Sequence, residues 1–494
     1  MSGFRNPVIP GFFPDPSVCR AGDQYFLVTS SFTYFPGVPL FRSTNLVDWV
    51  QVGSVLDRPA QLDLSATEYA SHGVWAPTIR YHAERFWMIT TNHAADCSRN
   101  FFVTAEDPAE FWSDPVRVDV DGVDPDLAWD DDGNCWVSFA ADGGIMCCRI
   151  DDRTGAVLDP PEATWSGTGL QFPEAPHLIR RDDTWYLLIA EGGTDRGHTV
   201  AIARGPSPTG PWEGSPVNPI LTHRSTDHPI QNTGHADLVE ATDGSWWMVA
   251  LGTRPRGFSP KFHVLGRETF LVPVGWADGW PVVGDLSLEM PASPPGRRES
   301  HPIPVRDDFD APVLAPHWIS VRAPLAGSAS LDKRPGWLTL HGNGQDLDAC
   351  MPVFAGRRQQ HHRCRARARV DPGDSTEAGL AVRMDEDSHY EVFVQDDSIA
   401  VRARIGPLAG VVASVPSPST DVVLRVETHD SDYGPDRIRL GYETGDGTFR
   451  VLADLDGRYL STEVATGFIG RVIGLYAVAG SASFDWFDYE VTDD

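Results

Sequence analysis

The chain has 494 residues, 69 acidic side chains against 40 Lys and Arg, a formal net charge of -29 and 10% aromatic residues. That length exceeds what one hydrophobic core organises and predicts two domains. The acidic excess argues against nucleic acid or an anionic membrane surface as partner, and no apolar run reaches the roughly eighteen residues that span a bilayer as a helix.

Met1-Ser2-Gly3-Phe4-Arg5-Asn6-Pro7 lacks the basic region and apolar run of a secretion signal. The seven cysteines are odd in number, include the adjacent pair Cys147-Cys148 and have no zinc spacing. Reduced thiols in a cytoplasmic protein are the expectation. Next comes Gly11-Phe12-Phe13-Pro14-Asp15-Pro16-Ser17. Proline fixes its own φ and pushes the residue before it toward extended geometry, so Asp15 is expected to be extended and stiffly held. Taken alone, the motif reads first as a Pro-Asp-Pro turn before the strand-like Tyr25-Phe26-Leu27-Val28.

A polar turn followed by an aromatic-rich apolar strand then recurs five times, marked by Tyr25, Phe86, Trp136, Trp185 and Trp246 at steps of 61, 50, 49 and 61 residues. A repeat of about fifty residues made of short strands predicts propeller blades of four strands each. Ten to twelve residues before each marker stand Asp15, Trp75, Asp124, Glu174 and His235. That offset is one strand plus one turn, which places these residues on the innermost strands, converging at one end of the central channel. Carboxylates facing an interior are costly without a purpose. Glu191 follows its marker and belongs to a later part of the blade. Asp126 lies two residues after Asp124, so on a regular strand the two face the same way. Asp130-Asp131-Asp132-Gly133 lacks the spacing of a calcium loop and reads as a turn.

The repeats end near Pro281, and 290–305, rich in Pro and Ser, reads as a linker between a propeller over 1–289 and a second domain over 306–494. In the latter, Trp337-Leu338-Thr339-Leu340, Gly379-Leu380-Ala381-Val382-Arg383-Met384 and Tyr390-Glu391-Val392-Phe393-Val394 look half-buried, as in a β-sandwich. The fold class is therefore all-β, a five-bladed β-propeller followed by a β-sandwich. Three convergent carboxylates suit glycoside hydrolysis: one acid, one base or nucleophile, and a third that raises the acid's pKa. Phe32 and Trp75 offer flat faces for a sugar ring. No Gly-x-Ser-x-Gly elbow, phosphate loop or His-Glu-x-x-His is present.

The motifs Pro14-Asp15-Pro16-Ser17, Ser30-Ser31-Phe32-Thr33-Tyr34, Gly73-Val74-Trp75-Ala76-Pro77, Asp124-Pro125-Asp126-Leu127, Glu174-Ala175-Pro176-His177, Ala190-Glu191-Gly192-Gly193-Thr194, Gly234-His235-Ala236-Asp237 and Gly266-Arg267-Glu268-Thr269 fall in one order. In that order the sequence resembles glycoside hydrolase family 43, of the β-xylosidase type with a C-terminal sandwich of the concanavalin or laminin-G jelly-roll kind. The second domain matches more weakly, through Asp307-Asp308-Phe309 and Phe484-Asp485-Trp486-Phe487. The resemblance implies an inverting mechanism with Asp15 as general base, Glu174 as general acid and Asp124, in preference to Asp126, as the group that tunes the acid. It implies substrate contacts from Arg267, otherwise a structural ion pair, and from His235, otherwise a core histidine. Phe468 is the candidate for a sandwich phenylalanine that closes the pocket. Phe12-Phe13 departs from the family's Phe-His and is expected to alter the pocket rim. No cofactor is required on this reading, although a calcium ion near the propeller axis is a candidate structural or activating partner.

The expected activity is release of D-xylose from the non-reducing ends of β-1,4-xylo-oligosaccharides. The alternatives are α-L-arabinofuranosidase activity and a non-catalytic sugar-binding protein on the same scaffold. The expected partner is a small oligosaccharide, and association into a homo-oligomer through the sandwich rests on analogy alone.

Overall fold

The computed structural model describes residues 3–94, 98–299, 301–419 and 421–492. Each aromatic marker lies on the second strand of a separate antiparallel sheet: Gln24–Val28, Arg85–His93, Cys135–Ala141, Thr184–Glu191 and Trp246–Thr253. The first strands, nearest the axis, are Ser17–Ala21, Thr78–His82, Val123–Trp129, Glu174–Arg181 and Gln231–Glu240. These five sheets are the blades, and the turns between their strands carry the Gly, Asp and Asn residues that punctuate the sequence.

The ring is closed by the N-terminal segment. Phe4–Arg5 pairs with Glu289–Met290, Ile9 bridges Thr269, and Asn6 bonds the backbone of Leu271 in both directions at 2.9 Å. The stretch read as a linker is tied down as well. Asn45 Nδ2 donates to the Arg297 carbonyl at 2.7 Å and Arg298 grips Asp48 with two nitrogens.

Residues from Arg306 onward form two facing sheets, of eight and six strands. Half-burial fails for part of the second. Val353–Arg358, Val472–Ala477 and Ala378–Asp385 are buried almost throughout. The physical reason is a second cover: the propeller lies on the other face of this sheet. Ser320–Val321 pairs with Tyr34–Phe35, Arg383 reaches the Tyr34 hydroxyl at 3.4 Å, and Phe12, Phe32 and Tyr34 join the sandwich core. The wall that carries Phe32 therefore belongs to both domains. The described cysteines are all free thiols.

Candidate active site

The inner strands end around a cavity of about 80 Å³ lined by Asp15, Phe32, Trp75, Asp124, Glu174, Thr194, His235, Arg267 and Phe468. All eight residues singled out in the sequence meet there, although they span more than four hundred and fifty positions. At roughly 10–15 Å³ per water position, the cavity is on the scale of one sugar ring. It is not the largest space in the molecule. A cleft of about 1190 Å³ lies between the domains, against Trp49, Arg357 and Arg358, and includes none of the three carboxylates.

The backbone aims the carboxylates by a device the sequence did not disclose. Asp15 is not extended: its φ is 56°, and Asp124, Ala175 and His235 have φ of 53°, 54° and 39°. One left-handed residue thus recurs at matching depth in four blades, a conformation that side chains other than Gly adopt at a cost. Register shifts accompany it between Val123 and Asp126, Glu174 and His177, and Gly234 and Asp237. Such bulges bend the strand and re-aim its side chains. They also break the two-residue alternation, so Asp124 faces the cavity whereas Asp126 turns away from it to Arg80, 2.8 Å off.

Asp15 is buried, which alone would raise its pKa, but its partners outweigh burial and hold it below the ordinary 3.8. Arg267 Nη1 donates to Oδ1 at 3.0 Å and Ser30 Oγ to Oδ2 at 2.5 Å. His235 Nδ1 lies 3.5 Å from Oδ1, yet burial pushes this imidazole down to about 3. His235 is therefore neutral around pH 7, and Arg267 is the cation that keeps Asp15 ionised.

Glu174 and Asp124 behave oppositely. Both are partly open to the cavity but otherwise enclosed by protein. Burial first, and then repulsion from Asp124 and Asp15, lifts Glu174 to about 8. Burial and the charge of Asp15 lift Asp124 to about 7. The proton belongs on Glu174, because Asp124 Oδ2 accepts the Ala175 N–H at 3.3 Å and Glu174 takes no hydrogen bond from the described residues. One carboxylate is thus kept ionised and another kept protonated within a single cavity, the pairing that general acid–base chemistry needs.

Aromatic walls complete the space. Trp75 stacks on His93 with centroids 4.1 Å apart and donates from Nε1 to the Ser71 carbonyl at 2.9 Å. The hydroxyl of the same Ser71 accepts the Phe468 N–H at 2.8 Å. Phe468 comes from the sandwich and stands 6.2 Å from Trp75 and 6.0 Å from Phe32. Arg267 lies over both Phe32 and Phe468 and donates to Thr194 Oγ1 at 2.9 Å. Phe12 and Phe13 are not at the rim: Phe12 stacks behind Phe32, and Phe13 packs edge-on against Phe41. Glu191 is buried and accepts the N–H and hydroxyl of Thr168, a structural clamp. Asp130 caps its own turn by accepting from Asp132, Asn134 and Trp136.

Ser30, Thr194 and Arg80 were missed by sequence reasoning. The signal for Thr194 was the preceding Gly192-Gly193 pair, both at positive φ, where a side chain on Gly192 would meet the Gly197 carbonyl at 2.1 Å. Arg80 marks a layer beneath the cavity. It binds Asp126 at 2.8 Å, Asp237 at 2.7 Å and His177 Nδ1 at 2.9 Å, while Ser17 Oγ donates to Asp237 at 2.8 Å. This donor set fits a calcium ion poorly. Calcium takes six to eight oxygens, whereas the axial carboxylates are already committed to a guanidinium and His235 and His177 offer nitrogen.

Residues 4–281 match Glycosyl hydrolases family 43, and 306–490 match the Beta xylosidase C-terminal Concanavalin A-like domain. The chain is 38% identical to a Non-reducing end alpha-L-arabinofuranosidase of Bacteroides ovatus, over 99% of this chain and 95% of that one. It is 36% identical to a Xylosidase/arabinosidase of Butyrivibrio fibrisolvens, over 98% of each. Its structure superposes with a TM-score of 0.90 on the xylan beta-1,4-xylosidase of Bacillus halodurans, 30% identical, covering 99% of this chain and all of that one.

Proposed function

The chain belongs to glycosyl hydrolase family 43, and from that premise we propose an exo-acting, inverting hydrolase that releases D-xylose from the non-reducing ends of β-1,4-xylo-oligosaccharides. One observation carries the reading: a single-ring cavity closed by Phe468 holds one carboxylate ionised and one protonated. A cavity of this size takes a terminal sugar and excludes the middle of a polymer.

In the proposed step Asp15 removes a proton from a water molecule as its oxygen attacks the anomeric carbon. The glycosidic C–O bond breaks, and Glu174 gives its proton to the departing oxygen. Both Asp15 oxygens already accept a strong hydrogen bond, which suits a base for water better than a nucleophile. Asp124 keeps Glu174 protonated by like-charge repulsion and holds its own place through Ala175. Arg267 keeps Asp15 ionised and offers Nη2, held only by a 3.5 Å contact to the Phe468 carbonyl, to a sugar hydroxyl. Trp75, Phe32 and Phe468 enclose the apolar faces of the ring. The described cysteines, all free thiols, and a pocket closed to polymer support a cytoplasmic enzyme that meets short oligosaccharides.

α-L-Arabinofuranosidase activity is the second reading, favoured by the arabinofuranosidase relative. The test compares initial rates on xylobiose, an aryl β-D-xylopyranoside and an aryl α-L-arabinofuranoside, with proton NMR of the first-formed anomer. Fast xylobiose cleavage that yields α-xylose first is expected. β-Xylose first would overturn the inverting roles, and fast arabinoside with slow xylobiose turnover would move the function to debranching.

A further inference from the structure

The loop between Glu213–Gly214 and Gln231–Glu240 brings His223 and His228 together with Asp285, none of which lines the cavity. One ligand atom from each lies within 4.8 Å of the others. The two imidazole centroids are 3.8 Å apart. Each ring turns Nδ1 to the same group: His223 Nδ1 is 2.9 Å and His228 Nδ1 3.2 Å from the Ile230 carbonyl. On His223 the carbonyl at Nδ1 favours the tautomer that leaves Nε2 as the free lone pair, the outer-shell arrangement of metal-binding histidines, whereas His228 Nδ1 also lies 3.2 Å from the Ile230 N–H, so either of its ring nitrogens can carry the proton. Asp285 Oδ2 accepts the Ser287 hydroxyl at 2.9 Å, and among the described residues no Lys or Arg forms an ion pair with Asp285. Two close imidazoles and an exposed carboxylate thus stand together, with one candidate ligand atom from each at metal-binding separation.

We propose that His223, His228 and Asp285 bind one divalent ion of the zinc type. Two nitrogens and one carboxylate oxygen suit Zn²⁺, with water in the fourth tetrahedral position, and suit the oxygen-seeking Ca²⁺ and Mg²⁺ badly. The loop is already ordered for the task. Gln231 Nε2 holds the carbonyls of Thr226 and His228, and the Thr226 hydroxyl donates to the His223 carbonyl at 2.6 Å.

The ion joins two segments distant in sequence. Asp285 precedes the residues that receive the N-terminus: Asn6 N–H donates to the Leu288 carbonyl at 2.8 Å and Asn6 Nδ2 to the Ser287 carbonyl at 3.0 Å. Metal here staples the blade-four to blade-five connection onto the seam where the propeller closes, and its binding energy adds to ring stability.

The experiment uses the full chain without a histidine tag. Chelator-treated protein is dialysed against sub-micromolar Zn²⁺ and separately Ca²⁺, bound metal is counted by mass spectrometry, and melting temperature is recorded. About one zinc per chain, a higher melting temperature with zinc and no response to calcium are expected. A His223→Ala/His228→Ala double variant should lose that zinc and its melting shift while keeping glycosidase activity. Asp285→Asn should weaken zinc retention at least about tenfold, which keeps the test open if the double variant misfolds. Equal zinc content in wild type and double variant, or no zinc in wild type, would overturn the proposal. Neither result bears on the glycosidase reading.

Discussion

Asp124 and Asp126 lie two residues apart on one inner strand, and His235 and Asp237 two apart on another. They nevertheless form two rings with opposite electrostatics. In the upper ring, at the cavity, Asp124 accepts the Ala175 N–H and Glu174 takes no hydrogen bond from the described residues. In the lower ring Asp126 and Asp237 take Arg80, and also Leu178 N–H, Val18 N–H and Ser17 Oγ. Both rings are enclosed by protein. What separates Asp124 and Glu174 from Asp126 and Asp237 is pairing, and Asp15, held by Arg267 and Ser30, is the paired carboxylate of the upper ring. A buried carboxylate with a cation and several donors stays ionised and holds strands together. One without them keeps its proton and can give it away.

The largest break of this contrast is expected in the upper ring. Asp15→Asn and Glu174→Gln should each lower kcat by about 10²–10⁴-fold while circular dichroism stays that of the wild type. Aryl xylosides with good leaving groups need less protonation. They should restore much of the rate of Glu174→Gln and little of that of Asp15→Asn. Equal rescue of both would mean that the two roles are misassigned.

The lower ring should respond in stability. Arg80→Met strands two buried carboxylates without their cation, and breaking a buried pair costs about 3–5 kcal/mol. Denaturant unfolding measures this directly. An Arg80→Met protein as stable as wild type would show that the lower ring is not what fixes the inner strands.

Only part of this arrangement was readable from the amino-acid order. The aromatic markers betrayed the blades because second strands are buried on both sides, and the offset to Asp15, Asp124 and Glu174 followed from strand and turn length. The left-handed kinks were hidden, since Asp, Ala and His do not announce a positive φ as Gly does. Without the bulge, alternation puts Asp124 and Asp126 on one face, which is where strand logic failed. Arg80 sat unremarked in Thr78–His82. Its role appears only when acidic side chains from Val123–Trp129 and Gln231–Glu240 are brought to the same depth.

The pH dependence sharpens the contrast within one strand. In the proposed step Glu174 acts as the protonated acid, so kcat/KM should fall as pH rises past about 8. Asp124→Asn removes the negative charge that raises Glu174, and the alkaline limb should move to lower pH, by about one unit if the repulsion is of ordinary strength. Asp126→Asn, whose partner is Arg80, should leave the limb where it is. A limb that moves with Asp126 and not with Asp124 would exchange their roles.

The smallest effect compares the rings through stability alone. Below its ordinary value of 4.5, Glu174 is protonated in folded and unfolded chains alike. Between there and about 8 the unfolded chain releases a proton that the folded chain retains, so stability falls as pH rises. Glutamine has no such proton, and the melting temperature of Glu174→Gln should gain on wild type across that window. Asp237 has the opposite sign. Burial would raise it, but Arg80 outweighs burial and holds it below 3.8, so its contribution is present above that value and is lost on acidification. Asp237→Asn should therefore melt below wild type at neutral pH, by a margin that shrinks toward acid. Two buried acids on neighbouring inner strands would then give melting differences of opposite slope against pH. Parallel curves would mean that pairing, the feature that separates Glu174 from Asp237, does not govern where their protons sit.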